Sequence, residues 1–517
     1  MTTREVKTAA VLCIVVWGLG GDAWAKGTAV EGAKVYAKRC SQCHGEKGDA
    51  DGPAATFMLP RPRVLRDNAI YKFRSTSSGE LPTEQDLFDI ITRGLPGTAM
   101  PPFKVLPEQE RWDLVAFIKS LTDDFKDSSK TKTLPELAGN PVPPAADEAS
   151  LKKGAELWKA NKCWQCHGQK GRGDGESWPT LKDSWKNQIL PANLTNLESY
   201  RGGSTPLAIY RTISTGVNGT PMPAYADSIK PAERWHLVNY VLSLAPKPKD
   251  KRDDKIVAVR TDKLPATDDD KAWQLAPVAR FATFSNVIES PRLYWRSVEF
   301  VMVQALYTER EIALRVQWDD RSNSKGSNVS KKYADRDATI YSGTDHPDQM
   351  AVQFPAGIQT DPKVRPYILF GDKKLAVNLW WFRADKERAT ELNGKGSGSL
   401  SYQDPASQDV KATTSHAEGR YTVVMRRALT TADEKIDAQF APGAFVPIAF
   451  HVWDGDRGEV GTRRALTAWY WLYLKEPVPT RAYLVPPVAF VVTFGLLCGL
   501  VVLLRRRNGA KLPFAND

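Results

Sequence analysis

Apolar positions change their spacing three times along this chain. Near the start, an uncharged run from Ala9 to Gly20 follows Arg4 and Lys7 and precedes Ala23-Trp24-Ala25. A basic start, a short apolar stretch and a small-x-small site predict a secretory signal peptide over residues 1–25. The run is short for a bilayer span, which argues against a retained anchor. Next come two stretches, 27–122 and 150–244, that open and close with apolar residues three and four apart. The opening segments are Gly32–Tyr36 and Gly154–Trp158, and the closing ones Glu108–Leu121 and Ala232–Leu244. That period predicts helices packed on helices.

From residue 255 the period falls towards two. Glu311–Trp318, Met350–Phe354, Leu375–Trp380, Tyr421–Met425, Val446–Phe450 and Leu466–Trp471 alternate or are rich in β-branched and aromatic residues. Gly, Pro, Asp and Lys separate them, which predicts an antiparallel β-sandwich over 255–478. Stretches without a period, rich in Lys, Asp and Pro, read as linkers at 123–149 and 245–254. Finally, the 22 residues from Tyr483 to Leu504 carry no charge and Arg505-Arg506-Arg507 follows. This predicts a transmembrane helix over 483–504 with a cytoplasmic tail over 505–517. The triple arginine and the terminal position argue against a buried soluble helix. The bulk of the chain then faces a periplasm from the inner membrane. Pro486 and Pro487 are expected in the incomplete first turn, where proline is tolerated.

The two helical stretches are one motif written twice. Cys40, Cys43 and His44 recur as Cys163, Cys166 and His167, and Trp112 recurs as Trp235, each displaced by 123 positions. Met100 recurs as Met222, displaced by 122. Cys-x-x-Cys-His is an attachment pattern for c-type haem. Two thioethers fix one porphyrin edge while the adjacent histidine ligates iron. A lone Cys-x-x-Cys could be a redox dithiol or half a zinc site. The histidine, the export signal and the tandem recurrence argue against both. Each unit also carries a late Met-Pro after a Gly-rich loop, Gly97-Thr-Ala-Met100-Pro101 and Gly219-Thr-Pro-Met222-Pro223. A thioether suits haem iron as the second axial ligand. The expected iron ligands are therefore His44 with Met100, and His167 with Met222. Met58 has no counterpart in the second unit and reads as packing. His236, on the last helix of the second unit, reads as a packing or surface residue.

These residues resemble the class I cytochrome c family over essentially all of both units. The resemblance implies two all-α cytochrome c domains, two covalently bound haem c groups and exchange of single electrons at a partly exposed haem edge.

The third unit is similar to the haem-binding γ subunit of the ethylbenzene dehydrogenase and dimethyl sulfoxide reductase type II family. The shared pattern runs through Ile312–Asp319, Asp348–Pro355, Arg365–Gly371, Val377–Trp380, Ala449–Gly455 and Arg463–Ala465 to Trp469. In that family a methionine and a lysine hold a b-type haem inside the sandwich. Here Leu369 and Phe370 stand before Gly371 where the methionine is expected, and Arg463 and Arg464 stand where the lysine is expected. Arginine stays protonated and is a poor iron ligand. A third haem, of b type, is left open, with Met302, Met350, Met425, His416 and His451 as substitute ligands. Without it the sandwich becomes a docking module or spacer.

Composition adds little. The formal net charge of +11 includes the terminal arginines and comes with no basic–aromatic stripe, so nucleic acid is not an expected partner. It suits an acidic redox partner. Of six cysteines, four lie in the haem motifs, Cys13 in the export signal and Cys498 in the span, which leaves no disulfide pair. No nucleotide loop, iron–sulfur cysteine cluster or molybdenum signature occurs, so no catalytic site is expected in the chain itself.

The whole arrangement is similar to the membrane-attached cytochrome subunits of periplasmic molybdenum oxidoreductases, nitrite oxidoreductase above all. That resemblance implies iron–sulfur and molybdopterin subunits as partners, and a soluble cytochrome c or terminal oxidase as the further redox partner. Chlorate, selenate or dimethyl sulfide chemistry in the partner is the alternative. A tethered sandwich that binds a ligand through Trp380, Trp381, Trp469 and Trp471 is the competing class.

Overall fold

Two glycines decide how the helices of the N-terminal part cross. In the computed structural model, α1 (Ala29–Arg39) lies across α4 (Glu108–Ser120), and α5 (Glu148–Ala160) across α8 (Pro231–Ser243). A Cβ on Gly32 would stand 2.0 Å from the Asp113 carbonyl oxygen, and one on Gly154 would stand 2.2 Å from that of His236. Only glycine lets the backbones meet there. The Thr28 hydroxyl caps α1 and the Asp147 carboxylate caps α5, each accepting an amide three residues on. The structure describes residues 26–58, 60–66, 69–138, 142–186, 188–246, 253–326, 346–358, 361, 363–476 and 480–507. The expected signal peptide, most of the second linker and most of the tail lie outside them.

A third helix completes each half: α3 (Glu84–Arg93), with a Thr83/Asp86 capping box, and α7 (Pro206–Thr215), capped by Thr205. Each packs on the closing helix through stacked rings, Phe88 on Trp112 at 4.1 Å and Tyr210 on Trp235 at 4.2 Å. Tyr36, Leu87, Ile91, Leu114 and Val115 form one core. Trp158, Ile209, Tyr210, Trp235 and Val238 form the other. Each fully buried aliphatic side chain contributes about 1.5–3 kcal/mol.

The segment expected as the first linker is held down at several points. Thr133 bridges to Thr76, the Leu81 amide donates to the Lys130 carbonyl (3.0 Å), and Leu137 is buried in the second core. Arg234, fully buried, reaches Glu136 at 3.0 Å.

The chain divides between Pro246 and Lys247 into two units. Among its described residues the second unit holds fourteen strands: β1 (Lys255–Arg260), β2 (Ala279–Ala282), β3 (Phe284–Ser285), β4 (Phe300–Tyr307), β5 (Glu311–Asp319), β6 (Gln349–Pro355) and β7 (Val377–Arg383). They continue with β8 (Arg388–Gly394), β9 (Ser401–Tyr402), β10 (Lys411–Ala417), β11 (Arg420–Ala428), β12 (Phe445–Trp453), β13 (Ala465–Leu466) and β14 (Tyr470–Leu474). Neighbours run β10-β11-β5-β4-β1-β14-β12-β6-β7-β8-β9. The start of β12 pairs with β14, and its end pairs with β6 and β13, so this strand passes from one half of the sheet to the other. Ile312, Leu314, Val316 and Trp318, alternate positions of β5, share one core with Val352, Phe354, Trp380 and Phe382 of β6 and β7. The pairing is antiparallel except at β1, which runs parallel to both β4 and β14. The sheet is therefore mixed rather than purely antiparallel.

One end of this core gathers three buried carboxylates. Asp320 follows β5, Asp348 precedes β6 and Asp454 follows β12, with one oxygen of each within 4.8 Å of the others. Asp348 accepts from the Ser324 and Gly455 amides and the Tyr421 hydroxyl. Burial, then their mutual repulsion, pushes Asp320 and Asp348 well above the ordinary carboxylate range.

The last element is α9 (Thr480–Arg507). Its stretch Leu484–Arg507, 24 residues, is long and apolar enough to cross a membrane by length and composition. The helix begins earlier than the uncharged run, so Pro486 and Pro487 lie in its second turn rather than its first.

Candidate haem-binding sites

The two Cys-x-x-Cys-His segments take the same conformation. Short helices α2 (Ser41–His44) and α6 (Trp164–His167) turn each histidine back, its amide donating to the first cysteine's carbonyl at 2.9 and 3.0 Å. Gly45 and Gly168 follow with φ of 79° and 78°, a region that favours glycine. The next loop folds back on the motif in both cases. A Cβ on Gly52 would stand 2.4 Å from the Gln42 carbonyl oxygen, and one on Gly175 would stand 2.3 Å from that of Gln165.

Each histidine is oriented through Nδ1. That nitrogen lies 2.9 Å from the Arg63 carbonyl oxygen in His44 and 3.1 Å from the Ala192 carbonyl oxygen in His167. With Nδ1–H donating, Nε2 is left as the ligand nitrogen. Burial holds the His44 imidazole below its usual range, against the opposing Arg63 hydrogen bond, and so favours its neutral form. Burial likewise pushes the Cys40 thiol up to about 12 and Cys163 up to about 11. A redox dithiol needs the opposite shift.

The methionine loops match as closely. The Leu95 amide donates to the Met100 carbonyl and the Val217 amide to the Met222 carbonyl, both at 3.1 Å. Thr98 and Thr220 accept from the methionine amides at 3.2 Å and donate to Leu95 and Val217 at 2.7 Å. Gly94, Gly97, Gly216 and Gly219 have φ between 65° and 69°. A Cβ on Gly94 would meet the Pro101 backbone at 2.6 Å, and one on Gly216 the Pro223 backbone at 2.6 Å.

In the first domain, Cys40, Cys43, His44 and Met100 line one cavity of about 350 Å³, with Leu87, Ile91, Phe103 and Leu114 among its apolar walls. Covalent anchors, an imidazole, a thioether and apolar walls are the donor set a c-type haem requires, so the residues fit that group. Met58 faces the same cavity. His236 lies outside this chemistry, its Nδ1 2.8 Å from the Ser150 hydroxyl.

Cations also line this cavity: Arg39, Arg61, Arg63, Lys72 and, from the second cytochrome domain, Arg201. Burial, then Arg63 and Arg201, pushes the Lys72 ammonium down to about 7. The domains touch around this wall. Arg93 donates to the Arg201 carbonyl (2.8 Å), and buried Arg74 donates to the Thr215 carbonyl (3.1 Å). The Arg63 guanidinium lies 4.2 Å over the Trp185 ring. The sequence signalled neither this wall nor the Phe88 and Tyr210 stacking partners. A comparison of the two repeats could have found the rings, at the same displacement as the methionines.

In the β domain, His451 is fully buried. Arg464 Nε donates to its Nδ1 at 3.1 Å and its Nε2 lies 3.1 Å from Gln353 Oε1, so both ring nitrogens are engaged. The Arg464 guanidinium covers the Phe370 ring at 4.2 Å. Met350 and Met425 sit in the hydrophobic core, and His416 Nε2 is 3.0 Å from the Asp320 carbonyl oxygen. Both ring nitrogens of His451 and Nε2 of His416 are thus engaged, and Leu369, Phe370 and Arg464 are themselves buried. Trp380 is also fully buried, while Trp381 stacks on Trp453 at 5.0 Å. Trp469 donates to the Pro366 carbonyl and Trp471 lies under Arg365, so these four rings form no open stacking platform.

Comparison with known proteins agrees with this division. The cytochrome c family model matches residues 29–122 and 151–245, and the ethylbenzene dehydrogenase model matches 270–404 and 392–465. A protein described as a respiratory nitrate reductase haem subunit of Haloferax mediterranei is 28% identical over 215 residues, 42% of this chain and 70% of that one. The chlorate reductase γ subunit of Ideonella dechloratans is 27% identical over 169 residues, 32% of this chain and 62% of that one. Among solved structures, a chain of a Kuenenia stuttgartiensis reducing HAO-like protein complex is 36% identical, with 43% of this chain and 98% of that chain covered and a TM-score of 0.40. The chain thus carries two domains of the cytochrome c family followed by a domain of the ethylbenzene dehydrogenase family.

Proposed function

We propose that this chain is the dihaem electron-transfer subunit of a periplasm-facing, membrane-anchored molybdenum oxidoreductase complex, with nitrite oxidation as the partner's reaction. The observation that carries this reading is the double constellation: cysteine pair, Nδ1-anchored histidine and methionine loop, built twice with the same hydrogen bonds. A haem bound there supplies a one-electron couple. The chain's residues do the rest. His44 and His167 would hold the iron through Nε2, with Met100 and Met222 as the second protein donors, and the apolar walls would keep water from it. A haem held by a histidine and a methionine of the chain would serve electron transfer rather than chemistry on a small substrate. The likeness to the nitrate and chlorate reductase subunits supports membership of a molybdenum complex, in which electrons pass between an iron–sulfur subunit and a cytochrome c or oxidase. The γ-like β domain is the surface for the partner subunits, and α9 is the anchor.

The test is purification of the anchored complex. Pyridine haemochrome spectra should give two c-type haems per chain, with molybdenum and iron–sulfur subunits co-purifying and nitrite reducing the haems. Reduced haems that chlorate or nitrate reoxidises, with no response to nitrite, would move the partner to the reductase alternative. A chain without covalent haem would end the proposal.

A further inference from the structure

The cavity around His44 has a lopsided lining. Five cations face it, and among the described residues no carboxylate does. Arg63 Nη1 is buried without a hydrogen-bond partner. Arg63, Lys72 and Arg201 line the same cavity, where Arg201 disfavours charge on the other two, and Asp183 is the acid that acts on both Arg63 and Lys72. Burying cations together is costly unless an anion joins them. The c-type porphyrin carries two carboxylates on the edge away from its thioethers, which supplies that anion.

Arg201 belongs to the second cytochrome domain, yet its position is fixed from the first. Its carbonyl accepts from Arg93, and a Cβ on the following Gly202 would stand 3.0 Å from the Phe73 ring. The cavity wall is therefore completed across the domain boundary.

We propose that the first haem is held by both cytochrome domains: Arg201 joins Arg63 and Lys72 in binding the haem carboxylates, so that docking of the second domain sets the reduction potential of the first centre. This rests on haem attachment at Cys40 and Cys43. A cation beside a haem carboxylate offsets its negative charge and favours the ferrous state; its loss favours the ferric state.

The experiment is a potentiometric titration of both c-type centres in the full anchored complex, for wild type, Arg201→Gln, Arg201→Lys and Lys72→Gln. In Arg201→Gln one centre should shift about tenfold towards ferric at fixed potential, about 59 mV for one electron, while the other holds. Lys72→Gln, in the first domain, should move the same centre, and Arg201→Lys should stay near wild type. Two haems per chain with both potentials unmoved would overturn the shared site, as would equal shifts of both centres. If Arg201→Gln does not accumulate with both haems, Arg201→Met decides by the same criterion. Loss of covalent haem in the wild type would instead overturn the proposed function beneath it.

Discussion

At the scale of single residues, the strongest demands come from glycines and ring nitrogens. Gly94 and Gly216 take a backbone conformation that L side chains disfavour, and each would also drive a Cβ into the Met-Pro backbone. We expect Gly94→Ala and Gly216→Ala each to displace one methionine, at a cost of roughly 1–3 kcal/mol of local strain. The check is the thioether-to-iron charge-transfer absorption, which should fall by half in either variant and vanish in the double variant. The cysteine, histidine and methionine segments were legible as candidates because the chain writes each of them twice at nearly the same displacement. The cationic wall was not, because Arg63, Lys72 and Arg201 meet only in space and surface arginines are common in any sequence.

At the scale of elements, the helix crossings were readable as apolar periods but not as crossings. Gly32 and Gly154 looked like ordinary helix residues, and only the approach to Asp113 and His236 shows their purpose. Gly32→Leu should force α1 from α4 and lower the stability of the first domain by several kcal/mol, as overpacking at a backbone contact does. Gly154→Leu should do the same in the second. Calorimetry should show a lowered haem-domain transition, while the β-domain transition stays in place. In the β domain the alternation at Ile312–Trp318 was legible, but the parallel placement of β1 was not, since a period of two carries no strand direction. The prolines of α9 were visible, but the helix start was not, because charged Arg481 interrupts the apolar run on that side.

At the scale of the whole molecule, the three buried carboxylates give the β domain a pH response of its own. The folded-state affinities of Asp320 and Asp348 for a proton exceed those of the unfolded chain. Such groups leave stability intact below the unfolded carboxylate range and reduce it as pH rises towards the folded values. Arg321 and Arg457 offset part of this at Asp454. The β-domain melting temperature should therefore fall as pH rises above the ordinary carboxylate range, from about pH 4 upward. Asp320→Asn should flatten that fall and raise the neutral-pH value, by roughly 2–4 °C for each kcal/mol relieved. A slope unchanged by Asp320→Asn would remove the carboxylates as its cause. Membrane attachment is a separate property. Truncation before Thr480 should release the chain into the soluble fraction of export-competent cells with both haems retained, as fractionation and haem staining would show.

The near-identity of the two methionine loops has one more implication. If the inner donors on both irons are alike, they supply no gradient between the centres. The downhill direction for an electron must then be written in the unequal outer surroundings, where one domain lends its neighbour a positive charge.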